Sequence, residues 1–348
     1  MHTKRATIYD IATLANTSAA TVSRVLNNKD YYVSAELQER VLRVAKELGY
    51  TPNLLGRNLK SNKSTDIGVI IPTITNPYYT MLVKGIEETA SANHYDLFLC
   101  SVNRDAQKEK NFIESLIQKQ VAGIILASIR GDHDFIEQYQ QPGFHIVSMD
   151  QSISIPGDRI TFNFYQGGYL AGRHLVELGH RHIAFVSAPI DARHSRREVL
   201  RGFRDALAKD QISLPKASII EGVHEVETST EVYEYKNGKY FAEKLLQSSP
   251  RPTAVFCIND MTALSVLHHL QWAGIQVPEE ISLMGFDNIP LSEISYPSLT
   301  TIDQSAYQMG ALACSTLLDK IKEPTLPSVD VSLEPTLITR SSTGNPPK

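Results

Sequence analysis

The chain reads as a small helical head in front of an α/β core built from two doubly wound, parallel-sheet lobes. Two patterns carry that reading. Across residues 1–51 apolar side chains recur at helical spacing. From Asp66 to Gly285, short continuous apolar runs alternate with helical stretches, as in buried parallel strands covered on both faces. There are more such runs than one doubly wound sheet holds, so two lobes are expected. With 42% apolar residues the chain can bury a sizeable core, yet no run of eighteen apolar residues offers a membrane span.

In the head, Ile8, Ile11, Ala12 and Ala15 share one face of a first helix. Thr7 is its cap, with Asp10 reaching back as in a capping box. Asn16-Thr17-Ser18 interrupts the pattern, and a second helix from Ala19 turns Val22, Val25 and Leu26 inward. Leu37, Val41, Val44, Ala45 and Leu48 line a third, capped by Ser34 and closed by Gly49. Two short helices joined by a tight polar turn form the helix-turn-helix plan, whose second helix enters the major groove of DNA. Its outward side offers Ser18, Ala19, Ala20, Thr21, Ser23, Arg24 and Asn27, groups that suit phosphates and base edges. Residues 1–63 carry net +5 where the whole chain carries −4, leaving −9 on the rest. A generic three-helix bundle needs no such asymmetry; a protein whose one end meets phosphate does.

Residues 52–65 are a linker, in which Leu54 to Leu59 is too short to be helical alone. In the core, strand-like runs include Ile67 to Ile71, Leu97 to Ser101, Gly123 to Ala127, Ile183 to Ser187 and Ala254 to Ile258. Helices fall between them. Ligands in such folds sit at strand carboxyl ends, so two facing lobes enclose a cleft. Asn76 and Tyr78 follow the first strand, Asp150 follows another, Asn259 ends a third, and Asp287 comes after Gly285-Phe286. Carboxylates and amides there accept from and donate to hydroxyl groups. Each has a blander reading as a cap or turn former.

The runs TIYDIA, SAATVSRVLNN, VSAELQERVLRVAKELGYTPN and LGRNLKSNKS resemble the lactose-repressor family of bacterial transcription regulators, and similar signatures continue over nearly the whole chain. The resemblance implies a periplasmic-binding-protein-like core. Its lobes would cover 66–163 with 291–322, and 164–290 with 323–340, followed by a polar tail at 341–348. It implies that residues 52–65 hold a hinge helix whose Leu59 wedges into the minor groove, although Gly56 stands where the family has alanine. It places Ala19 and Ala20 at base-reading positions with Arg24 as the polar reader, and Thr7, Ser18, Thr21, Ser23 and Asn27 on phosphates. In the cleft it assigns Asp150, Asn259 and Asp287 to the effector and Phe162 to stacking on a sugar. The family's effector-binding arginine falls at Val199, so either Arg196, one turn earlier, stands in for it or the effector lacks the group that arginine holds.

A cytoplasmic, homodimeric repressor is therefore expected, reading a near-palindromic operator in double-stranded DNA under control of a small carbohydrate, with no cofactor and no membrane. A corepressor, metabolite or phosphoprotein, is the alternative. A transport receptor conflicts with the basic head and with an N-terminus that lacks a secretory signal. An enzyme would need a catalytic pair or phosphate loop, and none stands out. Cys100, Cys257 and Cys314 are too scattered for a disulfide framework or a zinc site. His174, His180 and His182 fit a structural turn better than a metal site. Residues 225–237, with four acids, read as a solvated loop.

Overall fold

The computed structural model describes residues 6–26, 33–50, 64–127, 139, 143–149, 157–191, 193–222 and 233–348. It divides into two compact units, 1–64 and 65–348. The first holds α1 (Ile8–Leu14), α2 (Ala19–Leu26) and α3 (Ala35–Glu47) around Ile11, Ala15, Val22, Val25, Val41 and Val44. The capping box forms: Thr7 N donates to Asp10 Oδ2 at 2.7 Å, and Thr7 Oγ1 accepts from Asp10 N at 3.4 Å. Gly49, at φ +58°, ends α3 as Tyr50 N returns to the Ala45 carbonyl. Arg40 Nε donates to the Ala15 carbonyl at 3.0 Å, pinning α3 to the end of α1.

The second unit opens with β1 (Asp66–Ile71), α4 (Pro77–Ala92), β2 (Asp96–Ser101), α5 (Ala106–Gln118), β3 (Gly123–Ala127), β4 (His145–Met149) and β5 (Asp158–Phe162). The second lobe runs through α6 (Phe164–Glu177), β6 (Ile183–Ser187), α7 (His194–Ala208), β7 (Ile219–Glu221), α8 (Tyr233–Gln247), β8 (Ala254–Cys257), α9 (Asp260–Trp272), β9 (Ser282–Met284) and α10 (Pro290–Ile294). The chain closes with β10 (Thr301–Asp303), α11 (Ala306–Lys322), β11 (Asp330–Leu333) and β12 (Thr336–Ile338), of which α11 and β11 return to the first lobe. The first sheet has the order β11-β5-β4-β3-β1-β2 and the second β7-β6-β8-β9, every pair parallel. Alternation sorts the strand residues by face. Ile67, Val69 and Ile71 meet α4 and α11, while Ile70, Ile124 and Leu126 meet Ile113 and Leu116 of α5.

Sheet membership redraws two lobe boundaries. The expected division gave 323–340 to the second lobe, yet β11 pairs in parallel with β5 of the first sheet. It also gave 291–303 to the first, yet Ser292 and Thr301 both donate to Asp260 of α9. The chain thus crosses between lobes at 162–164, 303–306 and 333–336. Strand β11 reads Asp-Val-Ser-Leu, a half-exposed edge too polar to be found by its apolar content.

The helices of each lobe approach through paired glycines. A β-carbon at Gly85 would stand 2.0 Å from the Tyr307 carbonyl oxygen of α11, and one at Gly310 2.0 Å from that of Leu82 in α4. Gly168 and Gly202 repeat the arrangement between α6 and α7, at 2.0 Å from the Val199 oxygen and 1.9 Å from that of Tyr165. Neither backbone can yield without unpacking its lobe. Gly202→Val is expected to cost roughly 1–3 kcal/mol or more and to lower the melting midpoint by about 5–10 °C. An unchanged thermal scan would refute so close an approach.

Residues 341–344 are not a free tail. Ser342 is fully buried, its Oγ donating to the Leu283 carbonyl and accepting from Thr300 N. His180 seals this segment, with Nδ1 2.9 Å from Thr253 Oγ1 and Nε2 2.9 Å from the Gly344 carbonyl. His174 Nε2 lies 3.0 Å from Thr343 Oγ1. Desolvation by burial pushes both imidazoles below their ordinary 6.5. They take up protons less readily than in the unfolded chain, so below about 6.5 the unfolded chain binds more protons and stability drops as the pH is lowered. Acidification from about pH 7 to 5 should lower the melting midpoint, and His180→Asn should flatten the slope. An unaltered slope in that variant would exclude His180 as a source.

Candidate functional site

In the head, α2 is capped by Ser18, whose Oγ accepts from Thr21 N at 3.1 Å and lies 2.9 Å from Thr21 Oγ1. Val22 and Val25 are buried, while Ser18, Ala20 and Arg24 are exposed and Ala19, Thr21 and Ser23 half-buried. Ala20 and Arg24, one turn apart, share the outward face. Thr7 Oγ1 lies 2.7 Å from Asp10 Oδ2, so this hydroxyl is engaged in its own helix cap. Asn27, Gly56 and Leu59 lie outside the described residues.

The second unit brings polar groups from both sheets together at the strand carboxyl ends. Beyond β2, Asn103 and Arg104 adopt left-handed backbone, φ +51° and +60°. Two such non-glycine residues in succession cost on the order of 1–3 kcal/mol each. They place Arg104 Nη2 2.9 Å from Glu234 Oε1, at the start of α8 in the other lobe, with both side chains almost fully buried. The Arg104 guanidinium also lies over the Tyr233 ring, 5.5 Å from its centroid. Asn259 caps α9, its Oδ1 accepting from Thr262 N at 2.7 Å, and its Nδ2 donates to the same Glu234 oxygen at 3.4 Å.

Asp287 sits past β9 at φ +139°, buried, with Oδ1 accepting from Gln304 Nε2 at 2.5 Å. The loop carrying it is held from beneath by Asp260. That carboxylate accepts from Ile289 N at 2.9 Å, Ser292 Oγ at 2.6 Å and Thr301 Oγ1 at 2.5 Å. Desolvation raises its pKa against the pull of these donors. Phe162, ending β5, meets Phe286 of the second lobe edge-to-face at 5.9 Å, so an aromatic pair joins the lobes beside the polar one.

Other expected residues are placed differently. Asn76 is buried as the cap of α4, accepting from Tyr78 N at 3.0 Å. Tyr78 packs into the first lobe's core, its hydroxyl 3.7 Å from Met309 Sδ of α11. Arg196 is buried and donates from Nη1 to the Pro189 carbonyl just past β6 at 2.8 Å. Val199 is buried where α7 meets α6 at Gly168. Asp150 lies outside the described residues.

Residues 7–53 match the bacterial regulatory proteins of the lacI family, and residues 173–343 match a periplasmic binding protein-like domain. The ribose operon repressor of Escherichia coli strain K12 is 36% identical over 340 residues, spanning 97% of this chain and 99% of its own length. The HTH-type transcriptional repressor PurR of Aliivibrio fischeri strain MJ11 is 35% identical, over 98% of this chain and 99% of its own. The chain belongs to the lacI family of bacterial regulatory proteins. A crystal structure of the lac repressor dimer bound to operator and the anti-inducer ONPF superposes with a TM-score of 0.83 at 28% identity, covering 98% of this chain and 100% of that one.

Three cleft residues of this lacI-family frame carry little signal in the sequence. Glu234 reads in the sequence as one of the solvated acids of 225–237, but the structure buries it completely and starts α8 at Tyr233. Arg104 carried no local signal, because its partner is 130 positions away. Gln304 follows β10, a three-residue strand that its length hides. For Arg104 and Gln304 the position just past a strand was the available clue.

Proposed function

We propose that the protein is a cytoplasmic, homodimeric transcription repressor that grips a near-palindromic operator with two heads and reads a small carbohydrate in the cleft between its lobes. It performs no catalysis and needs no cofactor. The observation that carries this reading is the buried constellation of Arg104, Glu234, Asn259, Asp287 and Gln304 at facing strand ends. Such a set of amides and charges suits a hydroxyl-rich ligand. A ligand that favours one angle between the lobes shifts the population of head spacings, and so the grip on DNA. The lac repressor, solved as a dimer on its operator with a bound anti-inducer, supports the same arrangement here. In the head, Ala19, Ala20 and Arg24 face base edges while Ser18, Thr21, Ser23 and Asn27 hold phosphates.

The test is a gel shift of the protein's own promoter fragment, with and without sugars chosen by thermal scanning against a carbohydrate panel. A shifted band that one sugar releases is the expected result. A sugar that tightens the complex would make it a corepressor. No shift under any condition would overturn the proposal.

A further inference from the structure

Among the buried polar atoms in and around this cleft that lack hydrogen-bond partners within the described residues are Ser187 Oγ, Glu234 Oε2 and Gln304 Oε1. Burying such groups unpaired is costly, so each marks a place where a bonding group is missing. Glu234 is the most telling of them. Its carboxylate is fully buried, and its Oε1 is held from the first lobe by Arg104 and from the second by Asn259. Its other oxygen remains available.

We infer that Glu234 is the specificity-determining residue of the cleft, its Oε2 accepting a hydrogen bond from a hydroxyl of an uncharged, unphosphorylated sugar. This rests on the carbohydrate reading above and narrows it. The unfilled atoms on Glu234 and Gln304 accept but cannot donate, so the ligand must supply hydroxyl protons. An anionic group would meet the carboxylates of Glu234 and Asp287. Arg104 is already bound to Glu234, and Arg196 to the Pro189 carbonyl. Because Glu234 is gripped by both lobes, a hydroxyl on its free oxygen also reinforces their closure.

Calorimetric titration of the full chain with free pentoses and hexoses, and with their phosphate esters, tests this. The protein should bind at least one free sugar and bind its ester at least about tenfold more weakly. E234Q should weaken the free sugar by roughly tenfold or more, through loss of a charged acceptor. The same change releases Arg104 toward phosphate, so the preference between sugar and ester should shrink or reverse. A thermal scan verifies that E234Q folds, and the wild-type ratio needs no variant. A wild-type preference for the ester overturns the inference, as does a ratio unchanged in E234Q; the carbohydrate reading survives both. If no sugar of either class binds, the carbohydrate reading falls and this one with it.

Discussion

Raising the salt from about 50 to 200 mM should weaken binding to operator DNA by roughly 10³–10⁵-fold, as for a protein that neutralises six to ten phosphates. The charge distribution requires this. Residues 1–63 carry net +5, and two heads in a dimer double the number of cations at the duplex, while the rest of the chain is acidic. Not every basic residue contributes, because Arg40 bonds the Ala15 carbonyl inside the head. In the proposed reading Ala19 and Ala20 contact thymine methyl groups, which carries no counterion release. Phosphate contacts must therefore supply most of the affinity. Fluorescence anisotropy with a labelled promoter fragment measures the slope of log affinity against log salt. A slope near zero would mean that the basic head does not meet the phosphate backbone.

Local chemistry was legible in the sequence, and long-range chemistry was not. The Thr7–Asp10 capping box spans three positions and forms as read, and so do the Ser34 cap and the Gly49 terminus. Apolar strands and helices through Gly285 were equally plain, because burial on both faces removes polar residues from them. The elements beyond were not. Strands β10, β11 and β12 are short and partly polar, and what holds them is pairing with strands far away in the chain. The segment 341–344 reads as a polar tail because its partners are 42 to 169 positions distant. Glu234 shows the limit most clearly, since an acid in an acidic stretch reads as solvated until the fold brings Arg104 to it. Tyr78 is the converse, a residue placed at a strand end by the sequence and turned into the core by the helix it begins.

Asp287→Ala should abolish the response to ligand while leaving ligand-free binding to DNA unchanged. The separation follows from how the loop is built. Its backbone is fixed without the Asp287 side chain: Asp287 N donates to the Ile302 carbonyl at 2.8 Å, Ile289 N to Asp260 at 2.9 Å, and Arg340 Nη2 to Asn288 Oδ1 at 2.8 Å. Removing the carboxylate thus leaves the loop in place but strips an acceptor from the cleft. It also leaves Gln304 Nε2 without the partner it has at 2.5 Å, beside an Oε1 that already lacks one. That stranded amide costs about 1–3 kcal/mol, a loss that a well-packed core can absorb. Ligand affinity is expected to fall more than about 100-fold, because one buried charged hydrogen bond and the set of Gln304 are lost together. Titrating the variant with the sugar that releases the wild-type protein from its promoter fragment decides the matter. A dose curve matching wild type would remove Asp287 from the cleft's binding groups, whereas loss of DNA binding in the absence of sugar would make it a structural residue.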